Sequence, residues 1–207
     1  MERYKYEQDA YNQGYQCIAG CDEAGRGPLA GPLVVAAVIF KKGYYNELIN
    51  DSKKITSKKR TELFDLILKE AKDYTIVIKT VAEVDEENVY QASRLGMIEA
   101  VNQLKFKVDC VLTDAMPLKN TMHCVPIIKG DQKSISIAAS SILAKVTRDK
   151  IMEEYDEVYP EYGFKKHKGY PTKLHKEALN KYGVTAIHRK SFKPIKEILN
   201  KQLELKI

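Results

Sequence analysis

Residues 17–40 read CIAGCDEAGRGPLAGPLVVAAVIF, and this stretch decides the fold class. Two short apolar runs, 17–23 and 33–40, are joined by a segment that holds three glycines and two prolines. Short runs rich in Ile, Val and Ala are typical of β-strands, and a segment rich in glycine and proline is typical of a tight connection. The stretch therefore predicts two neighbouring strands.

The chain that follows alternates between helix-like and strand-like segments. Apolar residues recur with the 3.6-residue period of a helix at 57–74, 86–104 and 134–155, whereas 75–82, 108–114 and 124–129 are short strand-like runs. This order predicts an α/β fold with a mixed sheet of about five strands flanked by helices. We expect a single domain, with a core of about residues 17–160 and a basic, helical carboxy-terminal extension of about residues 161–207.

Composition limits the classes of protein to consider. The chain has 207 residues, of which 44% are apolar and 30% charged, as expected for one full-sized hydrophobic core rather than a disordered or disulfide-rich protein. The longest nearly apolar run, 28–40, is too short and too rich in Gly and Pro to cross a membrane. The polar amino terminus and the four cysteines, which form no CxxC pair, predict a cytoplasmic protein with reduced thiols.

The positive charge lies towards the carboxyl terminus. Residues 1–131 carry 18 basic and 19 acidic side chains, whereas residues 132–207 carry 16 and 9. Residues 165–196 contain ten basic residues and a single acidic one, Glu177, and the basic residues are interleaved with Tyr170, Tyr182 and Phe192. This pattern favours a polyanion with sugars or bases to stack on, and its alternative is a solvated lysine-rich helix face.

Carboxylates stand at the ends of apolar strands. Asp22 and Glu23 end the first run, Asp114 ends another, and Asp131 ends a third just before a predicted helix. Charges in such places are costly unless they are paired or bind a ligand, and sites in α/β sheets gather where strand ends converge. Simple structural alternatives exist for Asp131 as a helix cap and for Asp114 in a turn.

Four carboxylates from these segments would repel one another unless cations lie between them. Oxygen ligands without nearby His or Cys select Mg²⁺ or Mn²⁺ rather than Zn²⁺. Two such ions would activate a water and stabilise the leaving oxygen in phosphodiester hydrolysis. The sequence therefore predicts a hydrolytic two-metal site at these acids.

The glycine-flanked arginine at Gly25-Arg26-Gly27 lies beside the first two acids. It lacks the spacing of a nucleotide-binding P-loop, but its backbone can approach a ligand closely. Its amides and the Arg26 guanidinium could therefore face a sugar or phosphate. The alternative is a plain hairpin turn with a solvated arginine.

Four blocks, in order along the chain, resemble one family. They are residues 17–40 quoted above, DSKKIT at 51–56, KGDQKSISIAASSILAKVTRD at 129–149 and HKGYPTKLH at 167–175. Together they closely resemble bacterial ribonuclease HII, the type 2 ribonuclease H, and the match runs from about residue 18 to 192. The resemblance implies a ribonuclease H-like fold.

The resemblance also assigns residues to roles. The family's four metal-binding acids correspond to Asp22, Glu23, Asp114 and Asp131, the same four that strand ends single out. Gly25, Arg26 and Gly27 are similar to the element whose backbone reads the ribose 2′-hydroxyl at an RNA–DNA junction. Tyr170 resembles the tyrosine that packs against the sugar on the 3′ side of that ribonucleotide.

Weaker correspondences extend the expected substrate contacts to Lys53, Ser134, Lys145 and Arg148. Each has a structural alternative, which is a solvated side chain for the three basic residues and helix capping for Ser134. For the histidines at 167, 175 and 188, backbone contact or packing is favoured over proton transfer.

Two departures from the family pattern bear on these assignments. Ala115 and Met116 follow Asp114 where many relatives have glycine, so the local turn is expected to differ. The related ribonuclease HIII type has an additional amino-terminal domain and a glutamate as the fourth acid. Only 17 residues precede Ile18, and the fourth acid is Asp131, which favours the HII type.

By this resemblance the chain is expected to be a monomeric endoribonuclease that uses Mg²⁺ or Mn²⁺. It would cut the RNA strand of RNA–DNA hybrids and single ribonucleotides embedded in duplex DNA, leaving 3′-hydroxyl and 5′-phosphate ends. One alternative is a non-catalytic nucleic-acid-binding module that uses the basic tail and the glycine loop. Another is a metal-dependent nuclease that acts on DNA junctions.

Overall fold

The computed structural model describes residues 2–52, 55–118 and 123–204. A 3₁₀ turn at Glu2–Tyr4 precedes the helices α1 (Lys5–Asn12), α2 (Ser57–Glu70), α3 (Val81–Glu87), α4 (Val89–Asn102), α5 (Gly130–Lys133), α6 (Ile135–Val158), α7 (Phe164–His167), α8 (Lys173–Tyr182) and α9 (Lys193–Glu204). The strands are β1 (Ile18–Ala24), β2 (Leu33–Ile39), β3 (Asp73–Lys79), β4 (Cys110–Asp114) and β5 (His123–Ile127).

The strands of the described residues form one mixed sheet in the order β3-β2-β1-β4-β5. β1 pairs antiparallel with β2, with Cys21 opposite Ala37, and parallel with β4, with Cys21 opposite Thr113. β4 pairs parallel with β5. The predicted α/β class, with about five strands in mixed pairing, is therefore confirmed.

The boundary between α2 and β3 differs from the predicted one. The period at 57–74 placed Tyr74 on the helix, but α2 ends at Glu70 and β3 begins at Asp73. The Asp73 carboxylate accepts hydrogen bonds from the backbone amides of Tyr74 and Lys105. This side chain fixes the start of the strand and ends the apparent helical stripe.

The predicted helix over 86–104 is two helices, because the chain breaks at Asn88, where φ is +61°. The Asn88 side chain accepts hydrogen bonds from the amides of Tyr90 and Gln91 and so starts α4. The strand predicted to reach residue 82 ends at Lys79 because Thr80 caps α3.

The chain divides into two compact units. The first comprises Met1–Ala24, Val34–Ile78 and Ser93–Val146, and the second comprises Gly25–Leu33, Lys79–Ala92 and Thr147–Ile207. An apolar cluster of the first unit includes Ile18, Leu112, Ile127 and Ile137. The expected division into a core and an extension from about residue 161 stays a prediction.

The second unit has an apolar cluster of its own, which includes Leu29, Met152, Phe164, Leu179 and Ile195. The basic segment beyond residue 160 therefore supplies buried residues as well as charge. The helices of the described residues include none that is long and apolar enough to cross a membrane.

The thiols of Cys21 and Cys110 are buried, those of Cys17 and Cys124 are partly buried, and all four are free.

Candidate active site

Asp22 and Asp114 stand side by side in the first unit. β1 and β4 are parallel, and Cys21 is opposite Thr113, so the next residue of each strand is one of the two acids. Residues at matching positions of neighbouring strands share a face of the sheet. The sheet register therefore brings together two acids that are 92 positions apart in the sequence.

Asp22 is a buried acid with negative neighbours. Its side chain is only 4% exposed, and its Oδ1 accepts a hydrogen bond of 2.7 Å from the Glu23 amide. Burial, followed by the charges of Glu23 and Asp114, raises the pKa of Asp22 well above its ordinary value, whereas hydrogen bonds from the Glu23 amide and the Ser141 side chain oppose that rise. A nearby cation would favour the ionised carboxylate.

Asp131 lies in the short helix α5 rather than at the end of a strand, because β5 ends at Ile127. Its side chain is 3% exposed. The amide of the preceding residue, Gly130, donates a 2.8 Å hydrogen bond to Asp114 Oδ1. The following residue, Gln132, donates to Asp51 Oδ2 at 3.3 Å. The backbone before Asp131 is therefore held by Asp114, and the side chain after it contacts Asp51.

The turn after Asp114 has the conformation that glycine adopts readily. Ala115 has φ of +54°, the left-handed region. An alanine there crowds its Cβ against the backbone, whereas glycine would not. Ala115 therefore occupies a left-handed position that glycine would adopt at lower cost, and the expected difference from the family's turn stays a prediction.

The donors in this region suit a hard divalent cation. Asp22, Glu23, Asp114 and Asp131 offer carboxylate oxygens only, the ligands that Mg²⁺ and Mn²⁺ prefer. Burial first, and then the charges of Glu23 and Asp114, raise the pKa of Asp22, and a bound cation would offset both effects. Within the part of the chain that the structure describes, no three Asp, Glu, His or Cys side chains are arranged to hold one ion. The four-acid metal site stays a prediction that these donors support.

Ser134 acts as a helix cap. It is fully buried, its hydroxyl donates to Glu7 Oε1 at 2.6 Å, and its Oγ accepts from the Ile137 amide at the start of α6. Glu7 Oε1 also accepts from the amide and the hydroxyl of Ser136. The capping alternative is the one seen here, so we leave Ser134 out of the proposed phosphate contacts.

In the second unit, Gly27 lies against Tyr170. A methyl group built on Gly27 would be 3.4 Å from Tyr170 Cε1. Arg26 and Gly27 are exposed, and the Tyr170 side chain is 43% exposed, so both can meet a ligand. Gly25 has φ of +108° and is buried, which fits a glycine that shapes the loop.

The structure corrects the expected role of Arg148. This residue is 1% exposed, and its guanidinium donates to the backbone carbonyls of Pro32, Ala30 and Lys168. Those bonds point into the second unit rather than to a phosphate. Lys145 is partly exposed and remains a predicted contact, whereas Lys53 lies outside the described residues.

The histidines of the basic tail serve packing, as favoured from the sequence. His188 Nδ1 accepts from the Thr185 amide, so its Nε2 carries the proton and donates to His175 Nε2 at 3.0 Å. His175 Nδ1 therefore donates to the Tyr170 carbonyl, at 3.0 Å. Burial lowers the pKa of His175 and of His188 to about 4, which keeps both rings neutral.

Several supporting residues were not predicted. The Ser141 side chain hydrogen-bonds to Asp22, and its hydroxyl is 2.9 Å from that of Ser52. Both lie within the sequence blocks that resemble the family, so the resemblance could have indicated them. Glu7 and Arg189 gave no such signal, because each becomes buried through partners more than 120 positions away.

Comparison with known proteins identifies the family and agrees with the fold. The family model described as Ribonuclease HII matches residues 19–195. A ribonuclease HII from Acholeplasma laidlawii (strain PG-8A) is 52% identical over 199 residues, covering 96% of this chain and 98% of that protein.

Solved structures show the same architecture. The ribonuclease H2 from Pyrococcus horikoshii OT3 has a TM-score of 0.76 and 28% identity, covering 89% of this chain and 98% of that one. Bst-RNase HIII in complex with Mn²⁺ has a TM-score of 0.69 and 16% identity, covering 93% and 72%, a likeness that shows the fold. With the fold, the family model and the relative in agreement, the chain belongs to the ribonuclease HII family and is a ribonuclease H enzyme.

Proposed function

We propose that this chain is an endoribonuclease that hydrolyses the RNA strand of RNA–DNA hybrids and cuts on the 5′ side of single ribonucleotides embedded in duplex DNA. The observation that carries the proposal is that Asp22 and Asp114 each follow directly on the paired residues Cys21 and Thr113 of two parallel strands and interact electrostatically. A buried acid whose pKa is raised by burial and by neighbouring carboxylates is typical of a site that binds cations or performs chemistry. Membership of the ribonuclease HII family favours this enzyme over a non-catalytic binding module.

The roles proposed for the acids rest on the family resemblance together with their positions on β1, β4 and α5. Asp22 and Asp114 would anchor divalent ions, and Glu23 and Asp131 would complete the two sites. Two bound ions supply an activated water and stabilise the leaving oxygen of a phosphodiester. The chain keeps Asp22 in place through the Glu23 amide and Asp114 in place through the Gly130 amide. Water is the nucleophile, and the products carry 3′-hydroxyl and 5′-phosphate ends.

The ions are proposed to be Mg²⁺ or Mn²⁺. The carboxylate donors favour hard cations of this kind. The Mn²⁺ bound by a structurally similar ribonuclease HIII supports the same choice.

Substrate recognition is assigned to the exposed loop at Gly25-Arg26-Gly27 and to Tyr170. The 2′-hydroxyl distinguishes RNA from DNA at a given position, and backbone amides can bind it without sequence preference. The Tyr170 ring, which lies against Gly27, would pack on the next sugar and favour one without that hydroxyl. A monomer in the cytoplasm is part of the same proposal.

Replacing the proposed ligands tests the catalytic part. Asp22→Asn and Asp114→Asn should each lower the cleavage rate in Mg²⁺ by about 100-fold or more, because both remove charge where ions are held. Duplex binding should persist, since losing an anion does not weaken attraction to phosphate. Rates and affinities would be measured on a duplex with one ribonucleotide.

The matched control is Asp109→Asn, which changes an acid just before β4, at the other end of that strand. Asp109 accepts hydrogen bonds from the amides of Gln16 and Cys17 and is outside the proposed site. This variant should keep near-normal turnover. Near-normal turnover in Asp22→Asn, or full activity of the wild type in excess chelator, would contradict the metal mechanism.

Replacing the tyrosine tests recognition. Tyr170→Ala should reduce cleavage at a single ribonucleotide by about 10-fold and affect a uniform RNA–DNA hybrid much less, because only the former presents a DNA sugar next to the ribose. The control is Tyr182→Ala, another exposed tyrosine of the second unit. A wild-type enzyme that ignores single ribonucleotides would refute junction recognition.

A further inference from the structure

Two segments of the second unit that carry the proposed recognition residues are in direct contact. We call residues 25–33 the recognition loop and residues 167–170 the tyrosine turn. The Leu29 amide of the loop donates a 2.8 Å hydrogen bond to the Gly169 carbonyl of the turn. Gly169 has φ of +84°, and a methyl group there would overlap the Ala30 carbonyl. The two segments therefore meet through their backbones.

Arg148 of α6 binds both segments at once. Its Nε donates to the Pro32 carbonyl at 2.9 Å and its Nη2 to the Ala30 carbonyl at 3.0 Å, both in the recognition loop. Its Nη1 donates to the Lys168 carbonyl, in the tyrosine turn, at 2.9 Å. The guanidinium is planar and rigid, so one side chain fixes three acceptors relative to one another.

The Arg148 guanidinium is buried in close contact with the recognition loop. A methyl group on Gly25 would overlap Arg148 Nε, so the glycine makes room for the guanidinium. Burial lowers the pKa of Arg148 to about 10, which leaves it charged at neutral pH. A buried charge is tolerated where it is hydrogen-bonded, and here the backbone carbonyls of the two segments supply the bonds.

Arg189 provides a contrast within the same unit. It is also fully buried and donates to the carbonyls of Gly31 and Pro32 at 3.0 Å and, more weakly, of Arg26 at 3.4 Å. All three acceptors belong to the recognition loop. Arg189 therefore supports the loop, whereas Arg148 joins the loop to the tyrosine turn.

We propose that Arg148 is a positioning residue for substrate recognition, which holds the glycine backbone of the recognition loop and the Tyr170 ring at a fixed separation so that both read one RNA–DNA junction. It touches neither substrate nor metal in this role. The inference rests on the proposed function of the loop and of Tyr170. It predicts that Arg148 acts through Tyr170 and not merely through stability.

The test is a double-mutant cycle on two substrates. Arg148→Lys keeps a positive charge but loses the planar guanidinium and its three fixed donors. It should lower kcat/KM for a single embedded ribonucleotide by about 10-fold, mainly through KM. The kcat/KM for a uniform hybrid should change by less than about 3-fold. In the Tyr170→Ala background, Arg148→Lys should cost less than about 2-fold more. Circular dichroism and melting would confirm that each variant is folded.

Arg189→Lys is the matched control, with the same substitution at an equally buried arginine. Its effect should multiply with that of Tyr170→Ala, because the three hydrogen bonds of the Arg189 guanidinium all go to the recognition loop. If Arg148→Lys does not fold, Gly169→Ala takes its place, since the added methyl group would push the turn away from Ala30. It should produce the same selective loss at the single ribonucleotide.

The outcomes separate the two proposals. If Tyr170→Ala is selective for the single ribonucleotide but Arg148→Lys is not, the positioning role is wrong and the proposed function stands. Multiplying effects of Arg148→Lys and Tyr170→Ala would overturn the role as well. If Tyr170→Ala itself shows no selectivity, the proposed recognition function fails, and the positioning role fails with it.

Discussion

A single backbone angle at residue 115 affects stability beside the candidate site. Ala115 has φ of +54° and an exposed side chain. Left-handed backbone costs a non-glycine residue about 1 kcal/mol or more. Ala115→Gly should therefore raise the free energy of unfolding by about 1 kcal/mol, measured by denaturant titration, and leave turnover within about 2-fold.

Ala82→Gly is the control for that prediction. Ala82 is an exposed residue of helix α3, where glycine is less favourable than alanine by up to about 1 kcal/mol. The same substitution should therefore have the opposite sign at the two positions. Destabilisation by Ala115→Gly would show that the left-handed conformation is not the source of a penalty.

Single residues also show what the sequence could reveal. Asp22, Glu23 and Asp114 were found because an apolar strand that ends on a carboxylate breaks its own pattern. Glu7 and Arg148 could not be found in this way. Glu7 bonds to Ser134, and Arg148 bonds to Ala30 and Pro32, across more than 115 positions, and no local period encodes a contact of that length.

At the level of elements, each predicted segment overlaps an observed helix or strand, but the one helix predicted over 86–104 is two, and polar side chains set the boundaries. Asp73 starts β3 and Asn88 starts α4 through hydrogen bonds to nearby amides. Apolar periodicity does not register such bonds, because it counts only which face a side chain occupies. Helix α1 was not predicted at all, since much of its sequence is polar.

The hydrogen-bonded chain from Thr185 through His188 and His175 to the Tyr170 carbonyl makes stability depend on pH. Both histidines have a pKa of about 4 in the folded protein, below the ordinary value of 6.5. Between those values the unfolded chain binds more protons, so stability is lost as pH falls from about 6.5 to 4. His188→Gln should reduce this loss by on the order of 2 kcal/mol, measured by melting at each pH.

The comparison with wild type isolates the histidine contribution. Asp22 and Glu7 have raised pKa values and gain stability as pH falls, but both proteins contain them, so their effects cancel. His123→Gln, at an exposed histidine, is the control. If this control changed the pH dependence of stability equally, the effect would not come from the buried His175 and His188.

For the whole molecule, the basic carboxy-terminal segment supplies both positive charge and buried residues. Deleting the basic segment from residue 165 would also remove Leu179, Ile195 and Arg189, which are buried in the second unit. Truncation would therefore confuse loss of charge with loss of fold. Neutralising exposed lysines tests the charge alone.

The triple variant Lys165→Gln, Lys166→Gln and Lys176→Gln should weaken binding to all duplexes alike. The slope of log affinity against log salt should flatten by about 0.9 for each phosphate that the protein no longer neutralises, because fewer counterions are released. Titration in chelator at several salt concentrations would measure it. Three exposed lysines of the first unit, changed to glutamine at 41, 58 and 69, form the control. If the salt slope flattened equally in both triple variants, the basic segment would contribute no more to phosphate binding than other exposed lysines.

The contact between Glu7 and the start of α6 has a consequence for the order of events during synthesis. Glu7 leaves the ribosome early, but Ser134 is 127 residues later. At about 5–20 residues per second, the carboxylate waits on the order of 6–25 s for the groups that bury it. During that time it stays solvated and charged, while the β1–β2 pair, whose strands are adjacent in sequence, can already form. The Glu7 contact of the amino-terminal helix, which is among the first elements made, can thus form only after residues 134–136 have been made.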